Sequence, residues 1–416
     1  MSSRQRAARV AAAAALFALS TTGASAQTQP ATAVTAGWQD GFFIQNGNGD
    51  FRLGIGLVAQ ADGRFSLDEP TPITNTFTVR KLRPTFTGRV GRYFDFKVMP
   101  DFGNGTAVVA DMYLDVRFAP GFRVRTGKDK TPVGYELLIG DGFLFFPERA
   151  LATSLVPNRD SGVQVQGDIG AGKLLYSAGV FNGVPDGASS TTEIDANNGK
   201  DLAGRAAWQP FRSATAPGVM NGFGLHVGGS TGMQEGGALP VFRTSVTQVY
   251  FSYDRAAAAA GRRNRISSAV FYYYKRFGGF AEFMRSGQRV ARDVTVRDVT
   301  NHAWEVTGSY VLTGEAASDR NVRPRENFDP AEGHWGALQI LGRYTELHVD
   351  HEIFEADLAA TGSSRNARSF TVAANWYPNP AVKYYFTFER TQFEASVGAT
   401  DRPDENVILL RAQLGF

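Results

Sequence analysis

Apolar and polar residues alternate with a period of two along most of this chain. Between Asp111 and Phe118, Met112, Leu114, Val116 and Phe118 fall on one side, and Asp111, Tyr113, Asp115 and Arg117 on the other. Successive side chains of a strand point to opposite faces, so this spacing predicts strands rather than helices. Such stretches recur near residues 51–62, 76–90, 92–102, 109–118, 121–128, 161–169, 173–182 and 200–210. They continue near 221–229, 265–276, 280–288, 302–313, 334–349, 369–377, 381–391 and 405–416. That is sixteen, an even number, as an up-and-down antiparallel barrel in a bacterial outer membrane requires. A further candidate at 247–254 would break the parity and is assigned to a loop excursion.

The links support that topology. Tight turns are expected at Gly91, at Ala119-Pro120, at Phe277-Gly278-Gly279 and at Pro378-Asn379-Pro380, with longer Gly/Asp/Ser-rich links between them. Short periplasmic turns alternating with longer outer loops are the barrel norm. The stretch 314–333 departs from it, being long yet periplasmic by parity. The stretch 129–160 also stands apart. It is long, lacks alternation, and sets Phe143, Phe145 and Phe146 beside Glu148 and Arg149. Loops this long are uncommon unless functional. Its apolar content predicts a segment folded into the barrel to narrow the pore; a cover over the barrel mouth is the alternative. At the end of the chain Ile408, Leu410, Ala412, Leu414 and Phe416 share one face. An alternating last strand with a terminal aromatic resembles the signal read by the outer-membrane barrel assembly machinery.

Arg4, Arg6 and Arg9, an apolar run over 10–19 and Ala24-Ser25-Ala26 form, in order, the three parts of a secretory signal peptide, expected to be cut after Ala26. The expected plan is then a signal peptide at 1–26, a lead-in at 27–50, and a transmembrane barrel over 51–416 in the outer membrane. No later apolar run has membrane-helix length, and the mean hydropathy of −0.22 suits strands that face lipid on one side only. The 46 Gly and 31 Phe fit bent strands and aromatic girdles, and the absence of Cys excludes disulfide or thiol chemistry. The basic isoelectric point is a property of the precursor. Of 43 basic and 40 acidic residues, the first 26 carry three Arg and no acid, so the mature chain has no net charge. Any preference for one sign of ion must come from where charges sit. Nucleic-acid binding is not expected, since neither a basic patch nor a recognition fold is evident.

Several segments resemble the phosphate-selective porin O and P family. Arg125-Thr126-Gly127-Lys128-Asp129-Lys130-Thr131-Pro132-Val133-Gly134-Tyr135-Glu136 is similar to the family's run into its constriction loop. Pro147-Glu148-Arg149, Asn158 to Gln164, Tyr176 to Gly183, Leu312 to Glu315 and Asn375 to Pro380 resemble later blocks in the same order. The resemblance implies a homotrimer of barrels passing phosphate or polyphosphate through a lumen lined by Arg and Lys, with lysines near the narrowest point.

Strand phase independently selects cations for the lumen. Leu82 and Phe86 facing lipid put Lys81, Arg83 and Arg89 inside. Phe94, Phe96 and Val98 facing lipid put Lys97 inside with Asp95 and Asp101. Arg117, Arg123 and Arg125 are inward by the same rule, and Lys128, Lys130, Arg149 and Arg159 are expected at or beside the constriction. Rings of Arg and Lys select anions, and the guanidinium fork matches phosphate oxygens. These cations have candidate partners in Asp95, Asp101, Asp111 and Asp115, so a general or sugar-permeable porin is a second reading. A non-conducting barrel is a third, although sixteen strands leave room for an aqueous channel. Catalysis is not expected. Gly228-Gly229-Ser230-Thr231-Gly232 has the spacing of a nucleophile elbow but no helix after it, and Gly54-Ile55-Gly56 lies within an alternating strand. With five His in no zinc-protease pattern, neither a metal nor a cofactor is expected.

Overall fold

The computed structural model of the chain describes residues 34–68, 73–190, 195, 197–216, 218–395 and 402–416. The expected signal peptide lies outside them. Two short strands come first, β1 (Thr35–Trp38) and β2 (Phe42–Gln45). The wall begins with β3 (Phe51–Ser66), β4 (Thr76–Val90), β5 (Phe94–Asp101), β6 (Val108–Ala119) and β7 (Phe122–Lys130). It continues with β8 (Arg159–Ile169), β9 (Leu174–Phe181), β10 (Asp201–Trp208) and β11 (Gly224–Glu235). A separate small pair, β12 (Val241–Arg243) and β13 (Val249–Ser252), follows. The wall resumes with β14 (Ala258–Tyr274), β15 (Phe277–Arg292), β16 (Thr295–Val311) and β17 (Ala337–His348). It ends with β18 (Ser364–Asn379), β19 (Val382–Ala395) and β20 (Glu405–Gly415).

Each wall strand pairs antiparallel with its chain neighbour, and β20 returns to pair with β3, Gly415 opposite Val58 and Val407 opposite Ser66. The sheet is thus a closed barrel of sixteen strands, all sixteen where alternation places them. The candidate at 247–254 falls in the small pair, inside an outer loop. Closure leaves no unpaired edge, the condition for strands to cross lipid. Burial reverses the soluble pattern. Met112, Leu114, Phe118, Ile266, Phe370 and Phe386 are exposed on the outer wall, whereas Gln60, Asp62, Lys81, Glu282, Arg343 and Arg411 are buried inside.

Two local details go beyond or depart from the sequence reading, and a third agrees with it. The lead-in is not featureless. β2 pairs with the part of β3 that β20 does not reach, Phe42 opposite Ile55 and Gln45 opposite Arg52. There Phe416 exchanges two backbone hydrogen bonds with Leu57, at 2.8 and 3.0 Å, and its ring packs 5.1 Å from Trp38 and 6.0 Å from Phe42. The turn before β15 is made by Lys275 and Arg276, with Lys275 at φ +51°, and not by Phe277-Gly278-Gly279. A Cβ on Gly279 would stand 2.3 Å from the Thr307 carbonyl oxygen, so this glycine permits close strand approach instead of a bend. The link between β16 and β17 does lie at the periplasmic end despite its length. Phe328 N donates to Pro378 O at 2.7 Å, and Arg323 pairs with Asp40 at 2.8 Å.

Candidate functional site

Between β7 and β8, residues 131–158 leave the wall and lie inside the barrel. Irregular backbone there has buried carbonyl groups that need donors. The inner wall supplies them. Gln60 Nε2 donates to Asp141 O at 3.2 Å, Gln413 Nε2 to Gly142 O at 2.8 Å, and Lys383 Nζ to Leu144 O at 2.7 Å. Asn375 Nδ2 donates to Phe145 O at 2.8 Å, Arg411 to Pro147 O, and Arg343 Nη1 to Glu148 O at 2.9 Å. In return Glu282 accepts from the backbone amides of Tyr135 and Glu136, at 2.7 and 2.9 Å. Val133, Leu137, Leu151, Leu155 and Val156 of the loop form one apolar cluster with Met284, Ala303 and Leu347 of the wall. Phe242, Tyr250 and Phe251 of the outer loop join the same cluster. The loop therefore fills the side of the lumen walled by β14 to β20.

Two loop carboxylates hold it by charge. Asp141 is paired with Lys81 at 3.0 Å, Arg149 at 2.7 Å, Arg159 at 3.4 Å, and Arg83. Burial pushes its carboxyl up, but Lys81, Arg149 and Arg83 outweigh burial and hold it well below the usual carboxylate range. Glu148 meets Arg80 at 2.7 Å, Arg411 at 3.0 Å and Arg64 at 3.1 Å. Burial likewise raises it, and Arg80 and Arg411 bring it below the carboxylate range.

On the other side, between the loop's residues 138–143 and the wall from β3 to β10, lies a cavity of about 700 Å³ that reaches the periplasmic end at Trp38 and Phe416. Nine Arg or Lys line it against four Asp. Five of the nine are residues that strand phase selected: Arg83, Lys97, Arg125, Lys130 and Arg159. Lys97 is paired with Asp111 at 2.7 Å, and Arg159 with the same carboxylate at 2.6 Å. Arg125 lies 3.5 Å over the Tyr113 ring and forks onto Asp115 at 2.7 and 2.8 Å, with Asp129 also against it.

The remaining selected cations are not brought to this cavity. Lys81 is buried under Asp141. Arg89 and Arg117 share Asp95 near the periplasmic turns, and Arg123 is exposed opposite Arg117. Arg149 is spent on the loop itself, donating to Ile139 O at 2.8 Å. Lys128 is also away from the constriction. It stands in register with Met112, which is 57% exposed on the outer wall, and its Nζ donates to Ser190 O at 2.6 Å. Directly opposed residues share a face, so Lys128 starts on the outer side. Lys130 lines the cavity, but its Nζ donates to Leu137 O and Ile139 O, both at 2.7 Å, and so serves the fold of the loop.

Arg205, Arg52 and Arg320 line the cavity unforeseen. None has a carboxylate within 4 Å among the described residues. Arg52 donates to Gln39 and Gln45, and Arg320 lies 5.5 Å from the Phe143 ring. Arg205, on β10 between Ser177 and Gly228, makes no hydrogen bond among the described residues; the charges that act on it are Asp129 and Arg125. Alternation over 200–210 would have found it, because Leu202 and Trp208 mark the lipid side.

A family model described as "Phosphate-selective porin O and P" matches residues 51–416, the whole closed barrel. The chain belongs to this family. It is an outer-membrane porin, a passive diffusion channel and not an enzyme. Solved structures agree on the fold. The outer membrane channel DcaP of Acinetobacter baumannii superposes with a TM-score of 0.58 at 10% identity, over 89% of this chain and 99% of that one. OmpT of Vibrio cholerae gives 0.56 at 12%, over 88% and 98%. An anion-selective porin from Comamonas acidovorans gives 0.53 at 11%, over 88% and 99%. No curated protein matches by sequence.

Proposed function

We propose that this porin passes small anions, with phosphate or polyphosphate preferred over chloride. The observation that carries the reading is that nine Arg or Lys side chains face four Asp side chains around the cavity, in a mature chain with no net charge. Low-dielectric walls make each charge act more strongly than in bulk water. Paired cations such as Lys97 and Arg159 offer moderate attraction, and Arg205 offers a free fork. Several moderate sites let an anion enter and leave, where a single deep one would trap it. Family membership supports phosphate, and the fold likeness to an anion-selective porin is consistent with it. Current through the purified protein in planar bilayers tests the reading. A reversal potential of anion sign in a KCl gradient, and block of chloride current by added phosphate, are expected. Cation selectivity would overturn it.

The working form is a homotrimer in outer-membrane lipid, delivered by the barrel assembly machinery. Family resemblance and the trimer form in which OmpT of Vibrio cholerae is described support the first part, and the stripe ending at Phe416 supports the second. Crosslinking in native membranes should give a three-chain band.

A further inference from the structure

The outer wall of β14, β15 and β16 changes character at one level. Toward the periplasm the outward residues are Ser268 and Val270 on β14, Ala281 and Phe283 on β15, and Trp304 and Val306 on β16. Phe283 is directly opposite Trp304, an aromatic pair of the kind that marks a membrane interface. One step further out, with exposed Ile266 of β14 opposite Arg285, cations begin. Arg285 stands opposite His302, which stacks on His348 of β17 with ring centres 4.7 Å apart. Beyond it come Arg262 and Asn264 on β14, Arg289 on β15 and Thr300 on β16. Arg262, Arg285, Arg289 and His302 are all exposed.

Their pairing is sparse. Among the described residues Arg262 and Arg285 have no carboxylate within 4 Å, and Arg289 meets only Asp298, at 3.9 Å and with that carboxylate 78% exposed. Between Arg285 and Arg289 the outward position is Gly287, flanked in register by Asn264 and Thr300. The wall is therefore bare at the centre of the patch. Neighbouring strands lie ~4.8 Å apart and outward residues on one strand ~7 Å apart, so long Arg side chains can converge over that glycine. Cations just beyond an aromatic girdle, on the lipid side and at the outer end, face one kind of surface: the anionic headgroups of the outer leaflet. Several exposed cations left uncancelled against a hydrophobic wall match a ligand with phosphates above acyl chains.

We propose that this patch binds the phosphate groups of a phosphorylated glycolipid of the outer leaflet, with Arg262, Arg285 and Arg289 as its cations. The acyl chains lie along Phe283, Trp304 and Val306. The site is on the outside of the barrel and independent of conduction.

Native mass spectrometry of the detergent-purified porin tests this with bisphosphorylated lipid A as the probe. Wild type should retain the bisphosphorylated form at least ten-fold more than its dephosphorylated counterpart. The triple variant Arg262→Gln, Arg285→Gln, Arg289→Gln should lose that difference and keep wild-type conductance. If the triple variant does not fold, Arg285→Gln alone, beside the bare glycine, should weaken retention several-fold. Equal retention of both lipid forms by wild type, or unchanged retention by a folded variant, would overturn the proposal. So would a crosslink from a cysteine placed at Arg285 to a second barrel in the membrane, because the patch would then be a protein interface.

Discussion

Replacing Arg205 by Gln removes one charge from the cavity while keeping a side chain of similar reach that can donate hydrogen bonds. Its effect can be bounded from the structure. Arg205 faces the cavity from β10 and has no carboxylate within 4 Å among the described residues, so its charge is not cancelled locally. Two unit charges about 4 Å apart interact by about 1 kcal/mol in bulk water and about 4 kcal/mol at the effective dielectric of a protein surface. A wet lumen lies nearer the first figure. With 1.4 kcal/mol per ten-fold, phosphate block of chloride current should weaken by at least about five-fold. The reversal potential in a KCl gradient should move toward the cation side. The assay is planar-bilayer recording, with heat-modifiable electrophoretic mobility confirming that the variant barrel is folded. A folded Arg205→Gln porin with wild-type reversal potential and wild-type phosphate block would refute the argument that uncancelled charge, rather than total charge, governs the pore.

Lys128→Glu should leave selectivity unchanged, whereas Lys130→Met removes one of the two donors to Leu137 O and Ile139 O and leaves Arg149 as the other, at about 0.5–1.5 kcal/mol for each hydrogen bond lost. Limited proteolysis within 131–158 and open-channel noise should both rise in the second variant only. Asp141 and Glu148 are held below the carboxylate range in the folded chain, so the stability they contribute is present above their unfolded values, 3.8 and 4.5, and is lost only as pH falls through the lower folded values. Channel current should therefore show no loop-related loss from pH 7 down to about 5, and a drop within that window would contradict the charge assignment. Deleting Phe416 removes two backbone hydrogen bonds to Leu57 and the ring between Trp38 and Phe42, and should lower the amount of folded barrel in the membrane fraction without altering single-channel conductance.

The wall was legible because a strand in lipid offers few alternatives. Residues facing the hydrocarbon layer must be mostly apolar and each backbone group must pair with a neighbour, so alternation alone located all sixteen strands. The constriction is read from a motif, against that alternation, and a motif does not say where each side chain ends. Lys128 belongs to a run that looks like a constriction motif, but its register partner is Met112 on the outer wall. The phase of β7 carries Arg123 and Arg125 inward. Gly127, at φ +129°, faces Tyr113 between them and Lys128, and the next residue falls on the opposite side. The wall donors to the loop were equally hidden. Gln60 of β3 and Arg343, Asn375, Lys383, Arg411 and Gln413 of β17 to β20 are all far from the loop in sequence, and they serve carbonyls of a segment with no periodicity to align against them.

The same limit explains why counting lumen arginines misleads. Arg263 and Arg265 share Asp201, Arg343 reaches Glu389 at 3.2 Å, and Arg411 reaches Asp62 at 2.6 Å. All four are inward and buried, and all four sit on the side that the loop fills. Burying a guanidinium is expensive unless a carboxylate meets it, so on the dry side each Arg comes with its acid and adds no field to the pore. On the cavity side Arg205 stands without a carboxylate partner among the described residues. The loop thus divides one lumen into a filled side and an open cavity. Cations facing its apolar flank are structural, and of those facing the cavity Arg52, Arg205 and Arg320 have no carboxylate within 4 Å among the described residues.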